Sequence, residues 1–174
     1  DPVLLGAGDL AMLRGPDHYT MADDPATPIQ VVVHPGQLCT TPEGVSTTES
    51  MTLGVRTWGN DPDGSLTMLV GTYQVRGAVS CRLADALPPL AVVRHDDWSS
   101  PLLGLLGDEI VKDEPGQDLV LDRLLDLLLV AVLRAWFSRP EADAPAWYRA
   151  NGDPVVGPAL RLMHNEPARG WTVS

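Results

Sequence analysis

Cysteine, phenylalanine and positive charge are all scarce in this sequence. Two cysteines, Cys39 and Cys81, are too few for a disulfide-stapled scaffold or a four-cysteine zinc site. Lysine and arginine number 12 against 23 aspartates and glutamates, a formal net charge of −11. Phosphate backbones and anionic membrane surfaces repel a chain so acidic. The imbalance is even along its length: residues 1–77 carry 3 basic and 9 acidic groups, and residues 78–174 carry 9 and 14. No basic tail hides in the average. The longest unbroken apolar run lies within Leu127–Leu133, far short of the ~20 residues a membrane span needs. A basic n-region and an apolar h-segment, the marks of a secretory signal, are missing from the N-terminus. These absences predict a soluble, cytoplasmic protein with no membrane partner. Gly-x-Ser-x-Gly, a Walker loop and a Gly-x-Gly-x-x-Gly opening a helix are absent too, so no catalytic residue is assigned. The paired carboxylates Asp108-Glu109 and Asp113-Glu114 read as a solvated helix face and its end.

What is present fits one domain of ordinary size. The 174 residues are 44% hydrophobic, and a folded chain of this length buries roughly 70% of its extended surface. Residues 1–77 read as short strands: Leu10–Leu13, His18–Ala22, Ile29–His34, Thr52–Trp58 and Leu66–Val75. Asn60-Asp61-Pro62-Asp63-Gly64 is a strong turn between the last two, and Pro35–Glu49 reads as a loop. From Ala78 onward the period is helical. Ser99, Ser100 and Pro101 start one helix, which Glu114-Pro115-Gly116 ends. Asp118 is placed to cap a long helix running to Ser138, and Asp153-Pro154 opens a last one that Pro158 delays. The long helix is apolar nearly all round, with a polar stripe at Asp118, Asp122 and Asp126. Both ends look like cuts in a longer chain. Asp1 enters Pro2-Val3-Leu4-Leu5 without an initiator Met, and Thr172 would cap a helix that does not follow.

Three segments in one order carry a resemblance. Gly8-Asp9-Leu10-Ala11-Met12-Leu13, then Leu83-Ala84-Asp85-Ala86-Leu87-Pro88-Pro89, then Asp153-Pro154 through Leu162-Met163-His164 to Trp171-Thr172-Val173 together resemble the N-terminal cupin-type domain of AraC/XylS-family transcription regulators. Ala22–Pro28, His34–Gln37, Thr57–Gly64 and Asp108–Gln117 resemble actinobacterial members in particular. The resemblance implies an α+β fold: a small cupin-like antiparallel β-barrel or sandwich over 1–77, its first strands missing, followed by a C-terminal helical subdomain over 78–174. In that family the Trp-Thr-Val segment opens a helix-turn-helix DNA reader, so promoter DNA would be met only through a part absent here. The implied function is effector sensing and dimerisation in a regulator. A cupin-fold small-molecule enzyme and a dimerisation module without an effector are the alternatives.

Site residues follow from alternation and spacing. Leu10, Met12, Val31, Val33 and Tyr73 are expected to face an apolar pocket for a small-molecule effector, with His34 at its mouth. His34 and Cys39 flank a Pro-Gly turn, where packing as a small hydrophobe, soft-metal binding and oxidant sensing are the readings open to Cys39. A redox pair of Cys39 with Cys81 is implied by the resemblance to oxidant-sensing family members, not by spacing. No metal or other cofactor is expected. Set against the second cupin motif, His18 falls one residue from the ligand position, which turns it to the other face of a strand. Leu121, Leu125, Leu128 and Val132 are expected to form the interface of a homodimer, packing against the same helix of a second copy.

Overall fold

The structure, a computed structural model, describes residues 2–15, 17–73, 85–98, 100–142 and 144–172. Among them, six short strands precede four helices. The strands are β1 (Leu10–Leu13), β2 (Val32–Val33), β3 (Cys39–Thr40), β4 (Thr52–Gly54), β5 (Thr57–Trp58) and β6 (Leu90–Val93). The helices are α1 (Leu102–Ile110), α2 (Gln117–Phe137), α3 (Ala146–Gly152) and α4 (Val156–Asn165). Strands pair antiparallel in three separate two-stranded sheets, β1–β6, β2–β3 and β4–β5. The α+β content expected from the sequence is there, but the described strands do not close into a barrel. Pro25, Pro28, Pro35, Pro42 and Pro62 lie between them, and proline cannot donate to a ladder.

One sheet has a core. The register sets Leu10 opposite Val93 and Met12 opposite Ala91, so these four side chains share one face. Ala91 and Val93 have no exposed surface. What covers Val93 is α2, whose Leu121, Leu128 and Val132 are buried in the same cluster, with Leu106 of α1; Leu10 and Met12 pack against it. A second cluster joins Leu133 and Phe137 of α2 to Ala144, with the Tyr148 ring 5.0 Å from that of Phe137. β6 lies in the second half of the sequence and β1 in the first, so the two halves share this core. The division at 77/78 itself falls within 74–84, outside the described residues.

Proline and glycine set the helix limits much as the sequence indicates. Gly116, at φ 85°, turns the chain into α2 and accepts hydrogen bonds from Leu119 and Val120. Asp118 is therefore not the cap. It sits in the first turn, where a carboxylate meets the positive end of the helix dipole. Asp153 does cap α4, its Oδ1 accepting from the amides of Val155 and Val156 at 2.8 Å. Thr52–Trp58, read as one strand, is instead the tight β4–β5 hairpin, because Arg56 adopts φ 47°. His18–Ala22 and 66–73 are not strands. Cys39–Thr40, read as loop, pairs with β2.

The dimer expectation for Leu121, Leu125, Leu128 and Val132 needs correction. Leu121, Leu128 and Val132 are covered within one chain by β6 and α1, and Leu125 is partly covered in the same cluster. The apolar residues of α2 left in water are Leu119, Val120, Leu127 and Val130. Leu128→Ala should accordingly cost about 2–5 kcal/mol, the usual loss for a buried leucine. Chemical denaturation of the two proteins measures it. A loss below about 1 kcal/mol would place Leu128 at the surface, where substitutions do little.

Candidate functional site

The six residues expected to line one pocket lie in three places. Leu10 and Met12 face the α2 core. Val31 is half-buried beside β2, and Val33 is exposed. His34 shares that hairpin, its ring nitrogen Nε2 2.9 Å from the Thr40 hydroxyl. Tyr73 lies against α2, its hydroxyl donating to the Leu125 carbonyl. Desolvation, helped by the nearby Asp126 charge, pushes the Tyr73 phenol up to about 12, so it stays a donor. Of the six, Tyr73 borders a cleft of about 260 Å³ that also touches Asp122 and Arg123. Leu125 lines it too.

The other candidates are placed as follows. Cys39 Sγ lies 3.6 Å from the Gln37 carbonyl, while Cys81 falls outside the described residues. His18 is exposed in an irregular stretch. Among the described residues no three His, Cys, Asp or Glu side chains gather as a metal would need. Glu109, one of the paired carboxylates, is held by Lys112 at 2.6 Å.

A second concavity lies between β6 and the C-terminal end of α2. It is an open groove of about 770 Å³, inside the size range of small-molecule sites. Val3, Val92 and Trp136 supply apolar wall, and Arg94 and Arg139 supply charge. Both arginines are held in place. Arg94 donates to the Leu4 carbonyl at 2.7 Å and to Asp9 at 2.8 Å. Arg139 donates to the Val92 carbonyl at 2.8 Å and to Asp97 at 2.6 Å, with its guanidinium 5.1 Å from the centre of the Trp136 ring. A guanidinium carries five N–H donors, so each retains some for a ligand. Asp97 and Glu141 also border the groove, which therefore suits an acceptor-rich molecule with an apolar body better than a multiply charged anion.

The edge of β6 runs along this groove. Arg14 donates to the Pro89 carbonyl at 2.9 Å, which sets the alternation of the ladder. The backbone groups of Ala91 and Val93 then turn to β1, and those of Leu90 and Val92 turn outward to the groove. Arg139 occupies one of these outward acceptors.

Asp9 anchors Arg94 of the groove from outside its lining. It accepts from the amides of Gly6 (2.8 Å) and His95 (2.9 Å) and from Arg94, joining the entry of β1 to the exit of β6. Gly8, at φ 81°, allows the approach: a Cβ there would fall 2.5 Å from His95 Nδ1. Nothing in the sequence marks this groove beyond Asp9 after a Gly-x-Gly turn. Its walls come from segments some 45 residues apart, Arg94 and Arg139.

Comparison with known proteins places the chain. Residues 1–138 match a family described as Cupin. Two Streptomyces proteins named as AraC-like transcription regulators match the whole chain, at 27% identity over 181 residues in Streptomyces lividans and 25% over 179 in Streptomyces antibioticus. The HTH-type transcriptional regulator AlkR of Acinetobacter baylyi is 28% identical over 97 residues, covering 52% of this chain and 31% of that protein. The chain spans about half the length of the two Streptomyces relatives, 54% of each. No solved structure matches.

The Gly6 amide, with Arg94 and His95, lowers the Asp9 carboxyl from 3.8 to about 2. A group so depressed stabilises the fold above its unfolded pKa and loses that contribution as pH falls through the folded one. Asp9→Asn should therefore be less stable than wild type by a constant margin above about pH 5, narrowing as pH falls through about 2 and vanishing near pH 1. Denaturant melts across that window check it. A margin independent of pH would show that the carboxylate charge is not what the joint uses.

Proposed function

Because this chain belongs to the cupin family, we propose that it is the effector-sensing and dimerisation part of an AraC-like transcription regulator. The observation that carries the reading is the alignment of its whole length with about half of relatives named as such regulators. Their remaining length leaves room for a DNA-binding part. The net charge of −11 argues that any promoter is met through that part rather than this one. Among the described residues no helix is long and apolar enough to cross a membrane, in keeping with a cytoplasmic regulator.

The groove beside β6 is the place we assign to an effector. A small molecule with acceptors for Arg94 and Arg139 and an apolar body for Val92 and Trp136 would raise the melting temperature, since it binds only the folded chain. A thermal-shift screen of small carboxylates and carbonyl compounds with apolar bodies should yield stabilisers whose shift Arg139→Ala abolishes. Stabilisers unaffected by Arg139→Ala would move the effector site elsewhere.

The dimer remains part of the proposal, on a different face. Leu119, Val120, Leu127 and Val130 lie along one side of α2, and Leu119 and Leu127 are 60% and 56% exposed. An apolar stripe left in water supports a second copy as its cover. Fused to a DNA reader that represses only as a dimer, the chain should repress a reporter, and Leu127→Asp should relieve that repression while the fusion stays folded. A wild-type fusion that does not repress would overturn the dimeric regulator.

A further inference from the structure

Between the β4–β5 hairpin and Tyr73 the chain runs past the first turns of α2, and it is fixed to that helix at both ends. At the first end, Arg56 sits at the tip of the hairpin at φ 47° and donates to Gln117 Oε1 and Asp118 Oδ1. Gln117 is only 4% exposed. Its Nε2 donates to the carbonyls of Glu109 (2.7 Å), Ile110 (3.4 Å) and Lys112, where the backbone leaves α1. Arg56 thus engages a side chain already committed to the corner between the two core helices. At the second end, the Tyr73 hydroxyl donates to the Leu125 carbonyl. Gly71 passes so close that a Cβ would come 2.8 Å from Leu125 Cδ2.

Between these ends the attachment is slight. Asn60 reaches Gln30 at 3.2 Å, and Asp61 closes its own turn with Asp63 and Gly64. From there to Gly71 no hydrogen bond joins the segment to the rest of the described residues, although Leu66, Met68 and Val70 are apolar and more than half exposed.

We propose that residues 56–73 form a strap pinned to α2 by Arg56 and Tyr73, which holds the hairpin and the helix as one unit and releases them together. Its use as a regulatory link rests on the reading above, in which strands and helices must respond to one effector. Its existence does not. A segment with so little hold along its middle opens locally at a rate set by its two ends, and weakening either end affects the whole segment. The strap would connect strand movement to α2, and through α2 to whatever covers its outer stripe.

The test uses the chain without effector or DNA, so its outcome is separate from that of the regulator reading. Arg56→Asn removes the guanidinium while keeping a residue that tolerates positive φ, and Tyr73→Phe removes only the hydroxyl. Arg56→Asn should speed thermolysin cleavage within 66–70 about three- to tenfold, the size of losing one ordinary hydrogen bond, since the Asp118 partner is exposed and its charge screened. That site lies ten or more residues from the substitution. In the reciprocal arm, Tyr73→Phe should speed amide exchange in the 51–59 hairpin. Exchange in the α2 interior and the melting temperature should stay near wild type in both. Effects confined to the neighbourhood of each substitution would overturn the strap, as would a matching rise in exchange throughout α2. If Arg56→Asn fails to fold, the Tyr73→Phe arm decides alone.

Discussion

Val93 has no contact with solvent, and it owes this to a single stripe on α2. An isolated two-stranded sheet is marginal in water. The β1–β6 pair persists because Leu121, Leu128 and Val132 close over its apolar face, while Leu106 of α1 closes the other side of the same cluster. The groove depends on this packing in turn. Arg94 follows β6 directly, Arg139 lies two residues beyond the end of α2, and the two arginines border one groove because strand and helix are held together. Weakening the stripe would therefore disperse the groove without touching a residue in it.

The helices were more legible than the strands, for a physical reason. Pro101, Pro115-Gly116 and Pro140 are strong local stops, and the leucine run between them has one stable solution at that length. β6 gave no such sign. Leu90-Ala91-Val92-Val93 is a short apolar run, which periodicity cannot tell from a turn of buried helix, and it became a strand because Leu10–Leu13 lay free to pair with it. Thr52–Trp58 kept its strand residues but folded back at Arg56, a left-handed position that no propensity scale assigns to arginine.

The site shows the same contrast. Tyr73 was picked out for a pocket wall and does border a cleft, yet its hydroxyl is spent on a helix carbonyl. Leu10 and Met12 were read as pocket residues because alternation identifies an inward face without saying what lies behind it. Here α2 lies behind it. The family resemblance was legible because order and spacing survive where single motifs are weak, and residues 1–138 do match Cupin. Arg94 and Arg139 could not be found this way, since each looks like an ordinary surface arginine until the fold brings them to one groove.

The hydrogen bond from Arg139 to the Val92 carbonyl has a consequence for solubility. Among the described residues β6 is an edge strand with its outward backbone groups turned to an open groove, and such an edge is a template for a strand from another molecule. A guanidinium across the edge, stacked on Trp136 and held by Asp97, obstructs that approach. A ligand that drew Arg139 toward itself would uncover the acceptor it guards. Occupancy of the groove and resistance to aggregation would then trade against each other through one side chain, and a chain that sensed its ligand by this route would be least protected while it was sensing.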